Sequence, residues 1–243
     1  MPDYLLTQKL WRYMSLSRFM WLLQRKLLWI GRSDTLDDPW ELAISPIYLE
    51  EVRERAPITP IDQPRRKSAD EHAAGVYDYW RKSTFISCWC ASEHESHALW
   101  RVFCGNKEGV AIQTTVGRLE AHFGNVPLQK VRYAEPKALG RTLTHEDVAL
   151  LKRPFFDFEK EARAIFRDDT PNPKLDKGEF GFRFPFDPAE ILEGVAVHPE
   201  ADISFYETVL WAIDDHAKPL RDKVSWSSMR ARPPFQKPLP HPN

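Results

Sequence analysis

Apolar residues recur at three- and four-residue steps through Leu16, Phe19, Met20, Leu23 and Leu27, which predicts a helix over 15–27 with Ser15 or Ser17 as its cap. Runs rich in aromatic and β-branched residues read as strands: LWRY (10–13), LLWIGR (27–32), TFISCWCAS (84–92), EGVAIQTTV (108–116), VPLQKVRYA (126–134) and ILEGVAVHP (191–199). Helical patterns return at 70–82, 94–103, 145–152 and, amphipathically, at 203–217. One stretch fits both periods. As a strand, FEKEARAIF (158–166) puts Glu159, Glu161, Arg163 and Ile165 on one face and Phe158, Lys160, Ala162, Ala164 and Phe166 on the other. As a helix, Phe155, Phe158, Ala162, Ile165 and Phe166 form the stripe.

Breaker residues mark the connections. SDTLDDPWE (33–41) reads as a turn-rich loop, and 57–67 as an exposed loop with prolines and a basic run. The stretch 168–188, rich in Pro, Gly and Asp, reads as a long loop or ribbon. There is no internal repeat and no regular βαβ alternation. The expected fold is therefore α+β, with a mixed or antiparallel sheet flanked by helices. We expect a single domain over 1–230 and a Pro-rich flexible tail over 231–243.

Composition narrows the setting. Lys plus Arg is 34 and Asp plus Glu is 35, a net charge of −1 that gives no global attraction to nucleic acid or an anionic bilayer. The most apolar early run, FMWLLQRKLLWIG, is interrupted by Gln24, Arg25 and Lys26, so no membrane association is expected. The opening MPDYLLTQKLWRYM lacks a secretory pattern. The three cysteines, Cys88, Cys90 and Cys104, argue against a disulfide framework. Together these predict a reduced, cytoplasmic protein. Nine Trp and 14 Phe exceed what most chains of 243 residues carry, and such rings serve cores first and ligand stacking second.

Four segments carry candidate chemistry. Arg12 and Tyr13 lead into a helix, where a guanidinium fork and first-turn N–H groups suit an anion or diphosphate; the plain alternative is a surface Arg beside a core Tyr. Asp37, Asp38 and Glu41 can hold Mg²⁺, or Asp38 can cap a helix beginning at Pro39. Cys88, Cys90, His94 and His97 lack a second spaced pair, so buried thiols explain the cysteines more simply than zinc, and no metal is expected. In FEKEARAIF a neighbouring Arg can keep one Glu ionised, to bond a sugar hydroxyl or stabilise a developing cation. The plain alternative is a Glu–Arg ladder on a solvated face.

The order LWRYMSL, LLWIGRSDTLDDPWE, FISCWCAS, ALWRVFCGNKEGVAI, VRYAEP, FEKEARAIF, GVAVHPEAD resembles the bacterial domain-of-unknown-function family 2971 over roughly residues 10 to 225. The chain departs from that pattern at Leu36-Asp37, where Phe-Asn is frequent, and at Phe103, where Tyr is common. The order of an Arg, a strand Ser and a Glu-x-Glu is also similar to that of ADP-ribosyltransferases. That likeness implies an ADP-ribosyltransferase-like fold with nicotinamide adenine dinucleotide (NAD) as substrate. Arg12 would hold the dinucleotide and Ser87 would brace the ligand and the catalytic glutamate. Glu161 would stabilise the oxocarbenium ion, and Glu159 would orient or activate the acceptor. Tyr13, Trp89 and Trp100 would stack on the nicotinamide. It further implies a protein or nucleic-acid acceptor, a toxin or phage-defence role, and an antitoxin or defence-complex partner. Two other readings stand beside it: a Mg²⁺-dependent nuclease or phosphoesterase built on Asp37, Asp38 and Glu41, and a non-enzymatic scaffold in which Arg163 pairs with one of those acids and ties the loop to the sheet.

Overall fold

A computed structural model of the protein describes residues 2–42, 50, 69–105, 107–124, 126–135, 144–168 and 176–231. The loop expected at 57–67 and the tail from 232 onward lie outside the described residues. The amphipathic helix read at the start is α1 (Leu16–Arg25). Ser15 caps it by accepting from the Arg18 N–H, and Lys26 ends it in the left-handed region at φ 50° with its N–H on the Leu22 carbonyl. Flanking it are β1 (Lys9–Ser15) and β2 (Leu27–Arg32). There follow α2 (Ala69–Ser83), β3 (Thr84–Ala91), α3 (His97–Cys104), β4 (Gly109–Thr115) and α4 (Val116–His122). Next come β5 (Leu128–Lys130), β6 (Arg132–Tyr133), α5 (His145–Ala149), β7 (Leu151–Lys152) and β8 (Glu161–Arg167). The remainder is β9 (Asp176–Lys177), β10 (Gly181–Pro185), α6 (Pro188–Ile191), β11 (Gly194–Val197), α7 (Ile203–His216) and β12 (Val224–Trp226).

The architecture is α+β. One mixed sheet of 10 strands is flanked by helices, antiparallel at every described pairing except the parallel β11–β12. The main core lies between one sheet face and the helices α1 and α7, with Phe19, Leu22, Leu23, Phe205, Val209 and Ile213 packed on Leu10, Leu28, Phe85 and Trp89. Smaller clusters cover the other face, one around Trp11, Tyr13 and Trp100 and one around Ile86, Val148 and Leu151. Among the described residues no helix is long and apolar enough to cross a membrane.

Three expectations are corrected. The strand read at 126–134 is two strands, because the chain changes partner: the Val131 N–H still bonds the Glu161 carbonyl, whereas the Arg132 N–H turns to the Leu150 carbonyl. The helix read at 145–152 stops at Ala149, because Leu151 and Lys152 are drawn out to pair with Arg132 and Tyr133. In FEKEARAIF the strand starts only at Glu161. Residues Pro154–Glu159 form a 3₁₀ helix, and Lys160 at φ 44° makes the corner, so Glu159 does not share a strand face with Glu161.

The sheet contains a fork. Along one edge β3 pairs with β8 over its whole length, from Thr84↔Arg167 to Cys90↔Glu161. Along the other edge it pairs with β2 only at Phe85 and Ile86, and with β1 only at Cys90 and Ala91. Beyond those contacts β1 turns away with β4 and β2 turns away with β10. Among the described residues Ser87, Cys88 and Trp89 therefore have no neighbouring strand on that edge, and a gap opens between the two arms that α1 connects.

Candidate functional site

A cavity of about 870 Å³ occupies the fork. Arg12, Trp29, Asp37, Glu41, Cys88, Trp89, Lys152, Glu159 and Glu161 are among its lining residues. Arg12 lies where β1 departs from β3, next to the last paired residue, Trp11. Its Nη2 donates across the gap to the Trp29 carbonyl at 3.2 Å, and the guanidinium lies 5.7 Å from the Trp89 ring centroid. Its Nη1 is buried with no partner among the described residues. Burial pushes its pKa below the ordinary arginine value. A desolvated cation with an unused donor is costly unless an anion completes it.

The far wall is a buried ion network. Arg163 is 0% exposed and uses all five of its N–H donors. Nε and Nη2 reach the two oxygens of Glu161 at 2.9 and 3.0 Å. Nη1 and Nη2 reach Glu41 at 2.8 Å each, and Nη1 also donates to the Ala149 carbonyl at 2.7 Å. Lys152 Nζ bonds Glu159 at 2.6 Å and Glu161 at 3.2 Å. The Glu161 backbone N–H is fixed by the Tyr133 hydroxyl at 2.7 Å.

Electrostatics give the two glutamates different characters. Burial alone would raise the pKa of Glu161, but Arg163 and Lys152 outweigh it and hold the carboxyl at about 2. Glu159 goes the other way: burial and its neighbour Glu161 raise it against the pull of Lys152. Burial, then the Glu161 charge, push the Cys88 thiol well up, so it stays protonated and donates to Glu161. The site thus holds Glu161 as a fixed anion beside a protonated thiol.

The sequence candidates separate into two groups. Arg12, Trp89, Glu159 and Glu161 line the cavity together. Ser87 is fully buried and does not line it; its hydroxyl accepts from Trp89 Nε1 at 3.0 Å and braces the indole instead of a ligand. Trp100 is buried away from the cavity, its Nε1 donating to Glu95 and its ring edge-on to Tyr13 at 5.0 Å. Tyr13 lines the cavity, but its ring packs on Trp100 and its hydroxyl accepts the Ser96 N–H, so it offers no free stacking face.

Two of the three acids read as a Mg²⁺ set, Asp38 and Glu41, are already engaged. Asp38 accepts from the Trp40 N–H at 3.0 Å and from Arg153 at 2.8 Å, and Glu41 is clamped by Arg163. Among the described residues no group of three His, Cys, Asp or Glu could hold a metal ion. Sequence reasoning missed Lys152, hidden in a span read as helix, and Trp29, read only as a strand residue.

No protein-family model matches the chain, and no curated protein does; the likeness to family 2971 stays a resemblance of motifs. Solved structures of one protein are among those similar to the chain. Thermus sp. 2.9 DarT in complex with ADP-ribosylated ssDNA has 13% identity and a TM-score of 0.43, over 94% of this chain and 98% of that one. The same protein in complex with NAD+ has 13% identity and a TM-score of 0.40, over 95% of this chain and 100% of that one. Its complex with carba-NAD+ has 12% identity and a TM-score of 0.40, over 94% and 100%.

Proposed function

We propose that the chain binds NAD in the fork and breaks the bond between nicotinamide and ribose, passing ADP-ribose to an acceptor or to water. The observation that carries this reading is the buried Nη1 of Arg12, unpartnered among the described residues, on a side chain that lines the same cavity as an ionised glutamate. Arg12 supplies donors for a diphosphate beside the positive N-terminal end of α1, whose first turn carries no acidic residue. Breaking the C–N bond sends its electron pair to the nicotinamide nitrogen and leaves positive charge on the ribose. Glu161 stabilises that charge, being ionised and fixed before the reaction begins. The acceptor oxygen or nitrogen then bonds the anomeric carbon and gives up its proton. In this reading Glu159, whose carboxyl is raised, takes that proton. The toxin or phage-defence role, the protein or nucleic-acid acceptor and the antitoxin or defence-complex partner rest on the motif resemblance and belong to the same proposal.

The test is nicotinamide release from labelled NAD by wild type and Glu161→Gln, with NAD affinity measured alongside. We expect turnover to fall by at least about 100-fold, the usual cost of one electrostatic stabiliser, with binding retained. Equal release by both proteins removes the enzymatic reading. A second reading has its own observation: Arg163 does clamp Glu41 and so ties the 33–42 segment to β8, as a scaffold requires. Under that reading wild type releases no nicotinamide, and Glu161→Gln changes stability alone.

A further inference from the structure

We infer that Trp29 is a stacking platform for the adenine ring at the mouth of the cavity, an inference that rests on the dinucleotide reading above. Trp29 is 36% exposed and lines the cavity, although strand residues with rings of this size usually bury them. Its indole is pinned from one side by bare backbone. A Cβ on Gly181 would lie 2.5 Å from its Cζ2 and 2.7 Å from its Cε2, so only glycine lets the ring lie there. A Cβ on Gly178 would stand 3.6 Å from Cη2. The cross-strand partner Arg183, paired to Asp176, lines the same cavity. A ring held flat on backbone, with its remaining surface facing a cavity, suits a planar partner and loses little freedom when it binds one.

The position selects which ring of the dinucleotide lands there. Ile86 pairs with Gly31 and Cys90 with Glu161, so by strand alternation Trp29 and Glu161 sit on one sheet face, separated by β3. Two strand spacings across and two residues along would give roughly 12 Å between their backbones in a continuous sheet, and the opening of the fork widens that interval. Arg12, which alternation puts on the opposite face, reaches through the gap with its Nη2 on the Trp29 carbonyl. A dinucleotide with its reacting ribose at Glu161 and its diphosphate on Arg12 then extends toward Trp29. The bond broken at Glu161 belongs to the nicotinamide half, so the Trp29 end receives adenine.

The experiment is calorimetric titration of wild type, Trp29→Ala, Trp29→Phe and Arg12→Met with ADP-ribose and with nicotinamide mononucleotide. Trp29→Ala should weaken ADP-ribose roughly 5- to 150-fold, the alanine cost of one base–aromatic stack, and leave nicotinamide mononucleotide within about twofold. Trp29→Phe, which keeps a ring, should retain most of the affinity. Should Trp29→Ala fail to fold, wild type alone reads the same contact: ADP should bind more tightly than pyrophosphate by a similar factor, and equal affinities overturn the platform. ADP-ribose binding unchanged in Trp29→Ala but lost in Arg12→Met overturns the platform and leaves the dinucleotide reading standing. Wild type binding neither ADP-ribose nor nicotinamide mononucleotide overturns both.

Discussion

Replacing Arg163 with Met tests whether the ion network holds the site together. The substitution keeps a long apolar stem but removes five donors at once. Glu161 and Glu41, 4% and 2% exposed, lose their bidentate partner, and the Ala149 carbonyl loses its bond. Lys152 remains, at 3.2 Å from Glu161 and 3.8 Å from Glu41, and offsets part of the loss. Breaking a buried pair by deleting one partner costs about 3–5 kcal/mol, and the presence of Lys152 argues for the lower end. For a chain of this length each kcal/mol moves the melting temperature by about 2–4 °C, so a fall of roughly 6–20 °C is expected. Urea unfolding followed by tryptophan fluorescence measures it as a shift in midpoint with unchanged slope. A companion variant, Arg163→Met with Glu41→Met and Glu161→Met, removes the orphaned charges as well and should regain most of the loss, because Lys152 and Glu159 still pair. A single-variant cost below about 1 kcal/mol would show that Arg163 is not holding two buried carboxylates, contrary to the geometry.

Three other outcomes follow from the same contacts. The Glu161 carboxyl lies at about 2 against an ordinary 4.5, so its stabilisation is complete above pH 5 and lost as pH falls toward 2. That shift amounts to roughly 3 kcal/mol. The raised Glu159 works in the opposite sense, so the urea midpoint should fall with acid less steeply than Glu161 alone demands, and Glu161→Gln should flatten the profile further. Arg12→Met removes a buried unpartnered donor; it should leave the melting temperature equal to or above wild type while NAD binding is lost, and a clear destabilisation would contradict the idle Nη1. Ser87→Ala orphans the buried Trp89 Nε1–H and should cost about 1–3 kcal/mol, read from the same urea curves, whereas no loss would mean that the hydroxyl does not brace the indole.

Local signals were readable where an element keeps its partners over most of its length. The stripe in α1 buries Phe19, Leu22 and Leu23, and the β-branched and aromatic runs of β3 and β4 are buried along most of their residues, so pattern and burial agree. They failed where the chain trades partners within one or two residues, as at Val131 and at Leu150–Leu151, because no local pattern records where a neighbouring strand ends. The helix α4 was absorbed into strand and connector, since its seven residues bury only Val116 and Leu119 and offer too short a stripe to read. The fork is also invisible in the sequence. It arises because β3 is matched to two strands at its two ends, partners 53 to 81 positions away in the chain.

The charged face of β8 shows why the site was only half legible. Alternating Glu and Arg ordinarily means water on that side, and the sequence contains nothing in those residues to say otherwise. The difference comes from the 33–42 segment, which lays Glu41 over Arg163, and from β7, which brings Lys152 alongside. Once covered, the same residues change meaning: a ladder worth little in water becomes a network in which one carboxyl is driven down and its neighbour up. Four donors already meet Glu161: two from Arg163, one from Lys152 and the Cys88 thiol. A carboxylate has about four acceptor sites, so an incoming sugar hydroxyl must displace one of them. The thiol is the weakest donor of the set, and Cys88 lines the cavity. The network can therefore hold Glu161 ionised and in place through its charged partners while exchanging only the thiol for a ligand, so its structural and chemical roles are compatible in one side chain.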